Sequence, residues 1–391
     1  MSQEADQLKQ PMMQPLAGIT VIDMSRILAG PWAGQVLADL GATVIKIERP
    51  EVGDDTRHWG PPYLKDKEGN DTADAAYFFS ANRGKQSLAI DITQPEGQQS
   101  IRDLAANADV LIENYKLGGL AKYGLDYESL QAVNPALIYC SITGFGQTGP
   151  YAHRAGYDFM IQAMGGLMSV TGEPDNKGGQ PMKVGVAVTD IFTGLYSVIG
   201  IQAALHERQQ TGLGKHIDMA LFDCSAAILA NQASNFLVGG VVPERMGNTH
   251  PNIVPYQVFA SSNGHLIIAV GNDGQFANLC AVLNQPELAE HEDYRTNAAR
   301  VGHRDALCDL LQALLLERTT EEWLAALEAV NVPCGPINRV DQVFSDPQIL
   351  ARDMVQTVEH PVGGQIRVAA SPIRFVGEEK CAIKAPPVLG S

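Results

Sequence analysis

Asp190 closes the run Val184-Gly185-Val186-Ala187-Val188-Thr189-Asp190 and stands directly before a long apolar stretch, residues 191–208. The run reads as a buried strand and the stretch as a helix, so the carboxyl is expected at a helix start in a largely buried setting. Two kinds of chemistry suit it there. Aspartate is a favoured helix cap, accepting backbone N–H groups. A carboxylate can also be a covalent nucleophile toward an activated carbonyl. Residue type and spacing alone favour the cap. A second candidate is the loop Ser25-Arg26-Ile27-Leu28-Ala29-Gly30-Pro31, which joins a strand end to a helix start. Ligands of open α/β sheets bind at such joins, where free N–H groups face outward. The loop lacks the G-x-G-x-x-G pattern, so it is not a dinucleotide fingerprint, and an ordinary turn is its plain alternative. Third are cations at comparable strand ends: Arg49, then Arg83 and Lys85, then Lys122. Gathered along one sheet edge they would hold a polyphosphate, and taken singly each could be a solvated surface charge.

The elements that must position these residues alternate along the first 150 positions. Strands are expected at 18–23, 43–48, 87–90, 110–113 and 137–142, with helices at 31–40 and 95–107. Pro31 suits a first helical turn and Gly41 a C-terminal cap. Strand–helix–strand units with short joins imply a parallel sheet with right-handed crossovers. The fold class is therefore α/β: an open, doubly wound (Rossmann-like) large domain. A helix at 191–208, a strand at 215–221 and a helix at 222–237 follow. Residues 239–255 read as a loop. A strand at 265–270 and helices at 275–283, 303–318 and 320–330 suggest a smaller α/β domain. The boundaries expected are 1–210 for the large domain, completed by about 340–391, and 225–335 for the small one. Linkers are expected at 211–224 and 331–340.

The chain has 391 residues, 45% hydrophobic and 18% charged, with a formal net charge of −16. That balance speaks against nucleic acid, and any anionic ligand must be held by locally clustered donors. Six scattered cysteines, Cys140, Cys224, Cys280, Cys308, Cys334 and Cys381, form no C-x-x-C pair, so neither a zinc site nor a disulfide framework is expected. The polar N-terminus lacks the features of a secretory signal, and no window is expected to span a bilayer. A cytoplasmic location, no metal and no membrane partner are the resulting expectations.

Several motifs in order carry a family resemblance. They are residues 18–31, 40–50, Gly53-Asp54-Asp55-Thr56-Arg57, Asn82-Arg83-Gly84-Lys85-Gln86-Ser87, Glu113-Asn114-Tyr115, Gly144-Phe145-Gly146-Gln147-Thr148-Gly149-Pro150 and Val332-Pro333-Cys334-Gly335-Pro336. Together they resemble the class III coenzyme A (CoA) transferases, a family that includes formyl-CoA transferase and carnitine CoA-transferase, over nearly the whole chain. The resemblance places Asp190 at the catalytic aspartate. It implies CoA contacts at Ile27, Leu28, Ala29, Arg49, Asn82, Arg83, Lys85, Asn114, Tyr115 and Lys122. It also implies an interlocked homodimer, with CoA thioester as substrate and no permanently bound cofactor.

Within the same superfamily, 2-methylacyl-CoA racemases carry a histidine in a Gly-His-Asp segment. Here Gly156-Tyr157-Asp158 stands in that place. A phenol with a pKa near 10 is a poor base at neutral pH, which favours transfer over racemisation. The loop Arg245-Met246-Gly247-Asn248-Thr249-His250-Pro251 lacks a glycine run and resembles relatives that move CoA between dicarboxylic acids, succinyl-CoA–glutarate or hydroxymethylglutarate CoA-transferase among them. Gly247 and Asn248 are expected to shield the site, and His250 is a substrate contact or a plain loop histidine. The reaction expected is transfer of CoA from succinyl-CoA or a similar donor to a dicarboxylic acid, through an aspartyl–acyl anhydride and an aspartyl–CoA thioester. A racemase and a non-catalytic CoA-binding protein are the alternatives.

Overall fold

The structure, a computed structural model, is described for residues 14–378 and 382–391. The readings made above for the first thirteen residues and for Cys381 lie outside the described residues. The chain divides into two units.

The first unit comprises the described residues up to Leu167, Lys183–Gly239 and Pro347–Ser391. It begins with β1 (Thr20–Asp23), α1 (Ala29–Asp39) and β2 (Thr43–Glu48), followed by the hairpin β3 (Tyr63–Lys65) and β4 (Asp71–Ala75). Next come α2 (Ala76–Phe79), β5 (Gln86–Ala89), α3 (Pro95–Ala105), β6 (Val110–Glu113), α4 (Tyr127–Val133), β7 (Ile138–Thr143) and α5 (Asp158–Met164). After α6 (Leu167–Val170), whose residues from Met168 on belong to the second unit, the 24-residue α7 (Val188–Thr211) leads into β8 (His216–Ala220), α8 (Leu221–Ala227) and α9 (Ala230–Leu237). Six strands pair in the order β5-β2-β1-β6-β7-β8, every pair parallel. Such strands are covered on both faces, which is why β1 and β6 read as unbroken apolar runs. The chain builds outward from β1 through β2 to β5, then returns to the other side of β1 at β6. The loops after β1 and β6 therefore diverge at a topological switch point, the usual ligand position in this architecture.

One core packs α1 and α7 over the sheet through Val36, Leu37, Val198, Ile201 and Ile112. The opposite face closes under α3 and α4 through Ile101, Leu111, Leu130 and Tyr139. At the outer edge, the last residues bind β5: Ser87 N–H donates to Ser391 O at 2.7 Å and Gly390 N–H to Ser87 Oγ at 3.0 Å. Arg57 donates to Pro387 O at 3.1 Å, so residues 387–391 lie along this strand edge and cover it.

The second unit comprises Met168–Met182 and Gly240–Asp346. Its antiparallel sheet contains β9 (Tyr256–Ala260), β10 (His265–Ala269) and β11 (Cys334–Pro336), in the order β11-β10-β9. Helices α10 (Asp273–Val282), α11 (Asn297–Gly302), α12 (Arg304–Leu315) and α13 (Thr320–Glu328) accompany it, around Phe259, Phe276, Leu311 and Trp323.

Four expectations are corrected. Residues 184–187 form no strand, because the sheet positions are filled through β8 and the Gln162 side chain takes the Val184 N–H at 2.9 Å. The expected linker at 211–224 contains β8, the sixth strand of the large sheet. The expected linker at 331–340 contains β11, which pairs with β10 despite its proline and glycine punctuation. Helix α7 is long and apolar enough, by length and composition alone, to cross a membrane, with a mean hydropathy of 1.4 in its apolar window. It packs as a core helix against α1.

Candidate active site

Asp190 is the third residue of α7 and its cap is Ala187, which offers no side chain to the helix. Capping falls instead to Asp158, the first residue of α5, 31 positions before Thr189. Its carboxylate accepts the Thr189 N–H at 3.0 Å and the Thr189 hydroxyl, and Gln162 Nε2 holds it at 2.7 Å. Gln162, fully buried, also accepts the Val184 N–H. One side-chain cluster thus sets both the entry to α7 and its first turn. Asp190 accepts no hydrogen bond among the described residues. Burial, helped by the charge of Asp158, pushes its carboxyl up to about 7. A carboxyl so placed is ionised at neutral pH in only part of the molecules, and is poorly solvated when it is.

The second component is the turn after β1. Asn114, just past β6, accepts the Arg26 N–H at 2.9 Å and donates to Arg26 O at 2.7 Å, joining the two loops across the switch point. Ile27 stands at φ 73°, a costly conformation for a β-branched residue. Its N–H faces both Asp54 carboxylate oxygens at 3.3 Å. Burial would raise Asp54, but Lys46 at 2.8 Å and the Thr56 donors hold it at about 2. Lys46 also donates to Ser25 O at 2.9 Å. A buried charge lattice therefore fastens the turn from below. Leu28 and Ala29 are buried at the start of α1.

The expected cations separate into two groups. Arg49 remains half exposed, paired to Asp55 at 3.0 Å, and Lys122 is exposed against the Tyr123 ring. Arg83 is buried and bound to Asp39, and Lys85 is enclosed by Asp23 at 2.7 Å, Pro31 O at 2.8 Å and Asn82 at 2.9 Å. Burial outweighs Asp23 and lowers Lys85 to about 8. The expectation that Arg83 and Lys85 gather on the open edge is thus corrected. Asn82, also fully buried, belongs with them. Arg83 and Lys85 secure α1 from within, and Asn82 ties Lys85 to Phe78 O.

A small crevice of about 20 Å³ at the strand ends is lined by Arg26, Arg49, Asp54, Tyr115, Ile90 and Ile92, among others. Gly194 lets α7 approach the turn, since a Cβ there would meet Ala29 O at 2.6 Å. Asp190 lies one helical turn before that contact. The Tyr77 phenol, raised by burial and then by the charges of Asp190, Asp158 and Asp54, belongs to the same electrostatic neighbourhood. Sequence reasoning missed Tyr77 as a neighbour of Asp190, and named Arg26 only as part of the loop after β1. Asp158 was visible only as the neighbour of Tyr157, which caps α5 and is 63% exposed.

Gly247, Asn248 and His250 belong to the second unit. Gly247 N–H donates to Gly172 O at 3.0 Å, Asn248 is exposed, and His250 O accepts from Arg304 at 2.7 Å. Burial and then Arg304 lower the His250 pKa.

An open parallel sheet with a switch-point crevice, and a poorly solvated carboxyl on the helix packed against α1, define an α/β protein with the architecture of a ligand-binding enzyme. The chain belongs to CoA-transferase family III, whose family model matches residues 16–391, and it is an enzyme of the transferase type. It is 54% identical over 359 residues to the succinate–glutarate CoA-transferase of Agrobacterium fabrum, covering 92% of this chain and 89% of that one. Identity to the succinyl-CoA:glutarate CoA-transferase of Mus musculus is 45%, over 97% of this chain and 84% of that one. The crystal structure of a CAIB/BAIF family protein from Brucella suis superposes with a TM-score of 0.83 at 56% identity, covering 96% of this chain and 97% of that one.

Proposed function

We propose that the protein moves CoA from succinyl-CoA, or a similar donor, to a dicarboxylic acid such as glutarate, with Asp190 as the covalent carrier. The observation that carries this reading is the division of labour at α7: Asp158 caps the helix and leaves Asp190 unengaged, its carboxyl raised to about 7. Ionised Asp190 attacks the thioester carbonyl, forming an aspartyl–acyl anhydride and expelling CoA thiolate. The thiolate attacks the aspartyl carbonyl, giving an aspartyl–CoA thioester and releasing the donor acid as carboxylate. The acceptor carboxylate then attacks that thioester, and the returning thiolate completes acyl-CoA and frees Asp190. Each tetrahedral intermediate needs an oxyanion donor, a role for which the Tyr77 hydroxyl is suited. The CoA moiety is assigned to the crevice and its approaches: Ile27, Leu28, Ala29, Arg49, Asn114, Tyr115 and Lys122.

Two copies are proposed to interlock as a homodimer. The exposed stripe Phe192, Leu195, Tyr196 and Ile199 along α7 supports a second chain packing there. Asp190→Ala or Asp190→Asn should abolish transfer while retaining CoA binding. Hydroxylamine or borohydride added with succinyl-CoA should modify the peptide containing Asp190. Turnover retained by either variant, or trapping elsewhere, removes Asp190 from the role.

A further inference from the structure

Glu113 ends β6 beside the switch point, and the chemistry above leaves it without a task. Its residue is 6% exposed, and it forms no ion pair among the described residues. Burial pushes the carboxyl up to about 7, against hydrogen bonds from Ser141 and the Tyr115 backbone. A buried carboxyl without a counter-ion is costly to keep. Its Oε2 accepts the Tyr115 N–H at 2.7 Å. Behind it, Ser141 Oγ on β7 lies 2.9 Å from His216 Nε2 on β8, and His216 stacks on Tyr127 with ring centroids 4.6 Å apart. Tyr139 faces the group from β7 and spends its hydroxyl on Leu125 O at 3.0 Å. Cys140, also on β7, feels the same charge from the sheet's interior. Glu113 stands opposite Ser141 in the pairing of β6 with β7, so a polar group spans three adjacent strands and ends on the backbone of the turn that carries Asn114 and Tyr115. Asn114 in turn grips Arg26, the residue before the strained Ile27.

We infer that Glu113 is a positioning residue for the CoA thioester. Through the Tyr115 N–H, and anchored by Ser141 and His216, it fixes the turn after β6 and with it the Arg26-Ile27 loop. The inference rests on the proposed CoA crevice. An ionised Glu113 holds the N–H more strongly than its acid form, so thioester affinity should follow its charge.

The test is steady-state kinetics with succinyl-CoA and glutarate on Glu113→Leu, Glu113→Gln and Asn114→Ala, run from pH 6 to 8. Glu113→Leu should raise KM for succinyl-CoA about tenfold, with kcat and the glutarate KM within about threefold. Glu113→Gln, which can still accept the N–H, should recover most of that loss and erase the step in KM near pH 7. If Asn114→Ala raises the succinyl-CoA KM and Glu113→Leu does not, the positioning role is wrong and the crevice stands. If neither changes it, the crevice assignment fails. Should Glu113→Leu not fold, Ser141→Ala removes one anchor alone. A rise in the succinyl-CoA KM of about threefold supports the inference, and an unchanged value overturns it.

Discussion

At the scale of residues, the site depends on two carboxyls with different duties. Asp158 is satisfied by Thr189 and Gln162, whereas Asp190 is desolvated and carries a raised pKa. The stability consequence has a definite sign. Between the unfolded value near 4 and the folded value of about 7, the native protein holds a proton that the unfolded chain has lost. Stability therefore falls as pH rises through that window, by up to a few kcal/mol, and the deficit is complete above it. Asp190→Asn abolishes the deficit. Its melting temperature should match the native protein near pH 4 and exceed it above pH 7 in parallel thermal scans. Asp158→Asn tests the second cause. The amide can still accept the Thr189 N–H, but the like charge is gone, so the acid limb of kcat should move down by about one pH unit. An unmoved limb would show that burial alone sets the Asp190 pKa.

Among the elements, the contact between α1 and α7 sets the distance from Asp190, the proposed nucleophile, to the loop after β1. A Cβ at Gly194 would lie 2.6 Å from Ala29 O and 3.2 Å from Trp32 Cβ, and a backbone carbonyl yields little. Gly194→Ala should cost roughly 1–3 kcal/mol in urea unfolding and lower kcat at temperatures where the variant is fully folded. Unchanged kcat would mean that the Asp190 geometry tolerates a shift of the helix. The same elements explain what could be read from sequence. The parallel strands were legible because burial on both faces makes them continuous apolar runs. Short β11 was not, because Pro333, Gly335 and Pro336 carry the signature of a connection while its pairing with β10 comes from distant sequence. The fate of Arg83 and Lys85 was hidden for a related reason. Their positions near strand starts were visible, but the partners Asp39 and Asp23 that take their charges lie 44 and 62 residues away. Capping by Asp158 across 31 residues escaped in the same way.

For the whole molecule, the proposed homodimer makes predictions of its own, and α7 gives their physical starting point. Phe192, Leu195, Tyr196 and Ile199 recur at helical spacing and are 38%, 38%, 40% and 63% exposed, an apolar stripe on a core helix. Leaving such a stripe in water is unfavourable, and packing it against its own copy is the symmetric remedy. Two forms of dimer then differ in a measurable way. A dimer held only by surface contact obeys mass action and dissociates on dilution, whereas interlocked chains cannot separate without unfolding. The interlocked dimer should persist at low nanomolar concentration in mass photometry. Differently tagged copies, each purified alone, should exchange subunits only when denaturant opens the fold. Monomers on dilution, or exchange in native buffer at a rate above that of unfolding, would leave the α7 interface possible and exclude the interlock. Ile199→Glu separates the contributions further. It should slow refolding to the dimer after denaturation, because the stripe must pair during assembly, while the dimer once formed stays closed to dilution.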